Sequence, residues 1–103
     1  MSDLLKVKDF WERNLCMDSF LKEEYLTKEY FNKSTELRYK HHYHIPHLVK
    51  KLSKKYSHMK PNLLEIGTGM GTDLQLFAEN GFIVRGTDLT ERAIAVSKRR
   101  FEL

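Results

Sequence analysis

One cysteine, two prolines, one tryptophan and five glycines are all that the 103 residues contain of these types. Each scarcity excludes something. A lone thiol, Cys16, cannot close an internal disulfide, so a disulfide-stapled scaffold is excluded and a reducing, cytoplasmic setting is expected. No apolar run approaches the ~20 residues that span a bilayer. The opening Met1-Ser2-Asp3-Leu4-Leu5-Lys6 carries an early acid and no apolar block before a small-residue cleavage site, so no secretion signal is expected. Internal repeats and low-complexity segments are also missing. What remains, 41% hydrophobic and 31% charged, is the composition of one small globular domain.

Charge is present but uneven. Residues 1–60 hold 13 Lys/Arg against 8 Asp/Glu, and residues 61–103 hold 5 against 6, within a net charge of +4. A basic first half is compatible with RNA, but a lysine-rich, solvated helix face is the commoner cause and is the reading preferred here.

Residues 1–26 scatter large apolar side chains without a sustained period, which predicts an arm with one short helix whose aromatics must pack on something to be ordered. Cys16 has no basic cluster or second thiol beside it, so a small buried side chain is expected rather than a reactive one. Thr27 is suited to cap a helix running to about Tyr43, with Tyr30, Phe31, Ser34, Leu37, Arg38, His41 and Ile45 on one face. Arg38 is a polar intruder on that face, and its planar fork fits a carboxylate.

Four imidazoles between His41 and His47 invite a metal. Only pairs three or four apart share a helical face, however, and no cysteine or carboxylate completes a set, so no metal site is expected. Pro46 suits the first turn of a further helix and pushes Ile45 out of helical geometry. Leu48, Val49, Leu52 and Tyr56 then form a stripe opposite Lys50, Lys51, Lys54 and Lys55. Ser57 to Asn62 reads as a linker.

The second half is more regular. Leu63 to Ile66 reads as a buried strand, and Thr72 or Asp73 as the cap of a helix to Asn80 that ends at a left-handed Gly81. Phe82 to Asp88 reads as a second strand. Thr90 then caps a helix from Glu91 to about Phe101, whose closing Lys98, Arg99 and Arg100 complement the helix dipole. Strand, helix, strand at this spacing predicts parallel strands joined by a right-handed crossover.

Between the first strand and its helix stand Gly67, Gly69 and Gly71. A dinucleotide turn would read G-x-G-x-x-G and seat a pyrophosphate, but Thr72 occupies the last glycine position and Glu65 lies at the strand end. A carboxylate there repels phosphate and favours a ligand bearing ammonium and sulfonium charges. Asp88, 21 residues after Gly67, is placed to accept hydrogen bonds from two ribose hydroxyls. Leu89 offers an apolar surface for adenine, and the N–H groups of the turn are expected to face the methionyl carboxylate.

The run Leu64-Glu65-Ile66-Gly67-Thr68-Gly69-Met70-Gly71-Thr72-Asp73 resembles the first motif of class I S-adenosylmethionine-dependent methyltransferases. Gly86-Thr87-Asp88-Leu89-Thr90 resembles the acidic end of their second strand. Phe10-Trp11, Cys16, Glu29-Tyr30-Phe31, Arg38 and Ile45-Pro46 look like the N-terminal arm of small-molecule members, although Leu15 stands where proline is expected. The resemblance implies an α/β, partial Rossmann-like methyltransferase fold, with N-terminal helices followed by a β-α-β-α unit of two parallel strands. Residues 1–60 would form a helical arm or cap, and residues 61–103 the N-terminal, cofactor-holding half of a methyltransferase domain. S-adenosylmethionine would be held by Glu65, Gly67, Thr68, Gly69, Gly71, Asp88, Leu89 and Arg38, with the arm covering it.

Two strands are fewer than the seven of a complete member, and they leave open sheet edges along which copies could associate. The expected function is methyl transfer to a small-molecule acceptor, this chain carrying mainly the cofactor half, with no catalytic base assignable. The alternatives are a non-catalytic S-adenosylmethionine-binding or interaction module, an RNA methyltransferase fragment and, least favoured, a nicotinamide oxidoreductase.

Overall fold

A computed structural model describes residues 2–103. Five α-helices and two strands lie among them: α1 (Asp3–Arg13), α2 (Lys28–His41), α3 (His44–Lys55), β1 (Asn62–Ile66), α4 (Thr72–Glu79), β2 (Ile83–Thr87) and α5 (Glu91–Glu102). A single 3-10 turn occupies Asp18–Phe20. The strands are parallel, in register from Asn62 opposite Ile83 to Ile66 opposite Thr87.

Most helix ends follow from local chemistry. The Thr27 hydroxyl accepts the Tyr30 N–H at 3.2 Å and the Thr90 hydroxyl accepts the Ala93 N–H at 3.2 Å, each satisfying one free donor of a first turn. Gly81, at φ +92°, ends α4, where the Gly81 N–H reaches Ala78 O and the Phe82 N–H reaches Phe77 O. Two ends differ from expectation. Neither Thr72 nor Asp73 caps α4; Gly71, at φ +82°, holds the cap position, because both side chains are drawn into tertiary contacts with Arg100 and Arg38. α3 begins at His44, so Ile45 is helical. Pro46 is tolerated within its first turn because backbone N–H groups there have no intrahelical acceptor.

Leu15, Tyr30, Phe31, Met70, Ala93 and Val96 form the core, joining the arm and α2 to the glycine turn and α5. Cys16, expected to be buried beside Leu15, is exposed. The strands also depart from the expected burial. Leu64 is 61% exposed and Ile66 83%, with Ile83 half exposed across the pair. Side chains alternate along a strand, and the half-buried face is the one bearing Leu63, Glu65, Val84 and Gly86. Among the described residues, nothing buries the other face.

The core also contains a charge. Arg100 is 2% exposed, although its place in a basic trio at the end of α5 reads as an ordinary dipole partner. All five guanidinium donor positions find neutral acceptors: Nε on Met70 O, Nη1 on Thr35 Oγ1 and Gln75 Oε1, and Nη2 on Ser34 Oγ and Thr72 Oγ1, at 2.6 to 3.1 Å. Phe31 lies 4.7 Å from the guanidinium carbon. Burial pushes the Arg100 pKa down to about 10. One side chain thereby ties together α2, the glycine turn, α4 and α5.

Candidate functional site

The register sets Ile66 beside Thr87, so the glycine turn leaving β1 and Asp88 leaving β2 meet at the same edge of the sheet. The N–H groups of Gly67 and Thr68 both donate to Thr87 O, at 2.8 and 2.9 Å, and fold the turn over the end of β2. The Gly69 N–H donates to Asp88 Oδ2 at 3.0 Å. From beneath, the Ser97 hydroxyl donates to Gly69 O at 2.8 Å and Arg100 holds Met70 O.

Gly67 and Gly69 have φ values of +77° and +58°, and a Cβ on either would point into open space. Their conformation therefore demands glycine, while nothing packs on them. Gly71 differs, because its Cβ would lie 3.0 Å from Ser97 Oγ, so it serves close packing of the turn on α5. Gly86 plays a similar part that sequence reasoning missed, since a Cβ there would lie 2.8 Å from Leu74 Cδ2.

Two hollows flank the Gly67–Gly69 ridge. One, of about 230 Å³, is walled by Trp11, Leu15, Leu89 and Ala93, with Asp88 at its edge. The other, of about 140 Å³, is lined by Arg38, Glu65, Thr68 and Asp73. Cys16 and both glycines border each hollow. Together the hollows reach the lower end of the ~300–1,000 Å³ usual for small-molecule clefts. The first is mainly apolar, and the second mixes Met17 and Met70 with an arginine and two carboxylates, so a ligand with two chemically distinct ends fits across the ridge.

The structure brings Glu65, Gly67, Thr68, Gly69, Asp88, Leu89 and Arg38 to this cleft, while Gly71 lies beneath it. Burial pushes the Glu65 carboxyl up, against the Thr68 hydroxyl that donates to it at 2.6 Å. Asp88 spends Oδ1 on the Thr90 N–H and hydroxyl and Oδ2 on Gly69. A carboxylate offers about four lone-pair sites, so Oδ2 keeps acceptor capacity. Arg38 clasps Asp73 through Nε and Nη2, at 2.9 and 2.7 Å, and the Tyr39 hydroxyl donates to Asp73 at 2.8 Å. Arg38 Nη1 makes no hydrogen bond among the described residues.

One expectation is corrected. The N–H groups of Gly67, Thr68, Gly69 and Gly71 all bond within the protein, the last to Thr68 O, so these four do not face a carboxylate or a phosphate, and Met70 alone in the turn keeps an N–H with no acceptor among the described residues. The Thr87 carbonyl and the Asp88 carboxylate compete successfully because the short parallel pair delivers both directly over the turn.

Sequence reasoning also missed Arg100 and Ser97 as supports of the turn. The signal was present, because Arg100 falls on the Ala93, Val96 and Ser97 face of α5 and faces Ser34, the polar interruption of α2. No group of three or more His, Cys, Asp or Glu side chains among the described residues is arranged to hold a metal. No helix among the described residues is long and apolar enough to cross a membrane. No family model, curated protein or solved structure matches the chain.

Proposed function

We propose that this cleft binds S-adenosylmethionine and that the chain supplies the cofactor-holding half of a methyl-transfer site acting on a small-molecule acceptor. The observation that carries the reading is the bare Gly67–Gly69 ridge, which has open space where each Cβ would lie and an acid on either side. Two carboxylates beside the turn disfavour a pyrophosphate. They suit a cationic sulfur compound with an ammonium group and vicinal hydroxyls.

In this reading Asp88 accepts one ribose hydroxyl on the remaining lone pair of Oδ2, and Trp11, Leu15, Leu89 and Ala93 wall the adenine. Glu65 faces the ammonium. Arg38, through Nη1, pairs with the methionyl carboxylate in place of the turn N–H groups. The fold is then a partial Rossmann-like methyltransferase unit. Bound S-adenosylmethionine supplies an activated methyl group, so the protein's part is to position the partners and exclude water rather than to move a proton. The exposed sheet face bearing Leu64, Ile66 and Ile83 favours a second reading, in which the chain holds the ligand as a binding module and another polypeptide completes the acceptor side.

Calorimetry with S-adenosylhomocysteine and with NADH tests the reading. S-adenosylhomocysteine is expected to bind and NADH to bind far more weakly. Asp88→Ala is expected to cost about 1–3 kcal/mol of the former's affinity. Tighter binding of NADH overturns it. Binding without methylation of any acceptor in a screen favours the module.

A further inference from the structure

Between Glu36 and Glu65 the chain has no acid, yet it holds 7 of the 18 lysines and arginines and all 5 histidines. α3 organises most of this charge. At 100° per residue, His44, His47, Lys50, Lys51, Lys54 and Lys55 fall within an arc of about 140°. The opposite side carries Ile45, Leu52, Tyr56 and the wholly buried Val49, which seat α3 on the body of the protein. All six basic side chains are exposed. The four lysines form no ion pair among the described residues, whereas Lys33 and Arg99 pair with glutamates on their own helices. With a rise of 1.5 Å per residue, the stripe is about 17 Å long.

At the head of the stripe stands Tyr43, 71% exposed. The rings of His44 and His47 meet it edge-on, with centroids 6.4 and 6.5 Å away. An exposed aromatic at one end of a row of ammonium groups without carboxylate partners is an arrangement that single strands use, with bases stacking on the ring and phosphates following the charges. An acidic peptide has no need of the stacking platform. A membrane surface would call for a broader apolar border than Leu48 and Tyr43 provide.

We propose that the acid-free face of α3 and the preceding turn binds single-stranded nucleic acid. None of its six basic side chains lines either hollow of the cofactor cleft, so this surface stands independently of the cofactor reading.

Fluorescence anisotropy of the full chain with a labelled 20-nucleotide oligouridylate tests it. Neutralising four phosphates predicts a slope of log affinity against log salt on the order of −3, or about 50-fold weaker binding at 200 than at 50 mM KCl. The quadruple substitution K50Q, K51Q, K54Q and K55Q, with folding checked by circular dichroism, is expected to remove most of that slope. Tyr43→Ala is expected to weaken binding about tenfold and leave the slope unchanged. The pair K22Q and K28Q, exposed lysines elsewhere, tests whether charge removed away from α3 matters and is expected to have little effect. The proposal fails if oligouridylate does not bind at 50 mM KCl, if the control pair loses as much as the quadruple variant, or if an RNA duplex binds as tightly. Capture by phosphatidylserine vesicles in preference to oligouridylate overturns it in favour of a membrane surface.

Discussion

Glu12 and Arg92 cap one another's helices. The Glu12 carboxylate accepts the N–H groups of Glu91 and Arg92, at 2.7 and 3.2 Å, at the start of α5. The Arg92 guanidinium reaches back to Glu12 O and Arg13 O, at 3.2 and 3.3 Å, at the end of α1. Each charge meets the helix terminus of opposite polarity. No residue of α1 is buried, so these polar caps, rather than apolar packing, hold the helix and its Trp11 against the cleft.

Arg92→Ala is therefore expected to loosen α1 and leave the core intact. Amide exchange should accelerate across residues 3–13 but not in the Ala93–Arg100 region. The emission of Trp11, the only tryptophan, should shift to the red. The cost in global stability should be about 1 kcal/mol, the scale of a lost helix cap. Unchanged exchange in α1 would show that other contacts secure it.

Arg100 should be far less forgiving. Truncating it to Ala strips hydrogen bonds from five acceptors at once, and each bond to a charged group contributes about 1.5–3 kcal/mol. Stability of a domain this size is about 5–15 kcal/mol, so Arg100→Ala is expected to lose most or all of its cooperative urea transition. Arg100→Lys keeps the charge but has only three donors and should rescue partially. A wild-type midpoint in Arg100→Lys would show that the charge alone suffices.

Asp73 and Glu65 should respond to acid with opposite signs. Burial pushes the Asp73 carboxyl up, but the hydrogen bonds from Arg38 and Tyr39 outweigh it and hold the group below the ordinary range. Its contribution is thus present above the unfolded value, ~3.9, and lost as pH falls through the lower folded value. Glu65 is raised by burial, so its ionised form costs stability as pH rises above the ordinary carboxylate range. Asp73→Asn should flatten the loss of stability below about pH 4. Glu65→Gln should raise the melting temperature at pH 7 while weakening S-adenosylhomocysteine binding, a combination that a misfolded variant cannot produce.

The uncovered sheet face predicts association. Sedimentation at rising concentration should show self-association of the wild-type chain, and Ile66→Lys, on an 83% exposed side chain, should reduce it without lowering the melting temperature. A monomer at all concentrations would show that the face is inert.

Much of this protein is legible in one dimension because it depends on neighbours in the chain. Thr27 and Thr90 cap helices through donors three residues away, Gly81 ends α4 through its own backbone freedom, and the α3 stripe follows from helical period alone. Sequence order also places the glycine turn and Asp88 at the carboxyl ends of two parallel strands, although their meeting rests on the register that sets Ile66 beside Thr87. Tertiary structure decided where polar groups found partners. Whether a turn N–H meets a ligand or Thr87 O, whether Arg100 faces solvent or five acceptors, and whether Leu64 is covered all depend on what the folded chain brings alongside. That is a question of distance in space, which local propensity does not encode.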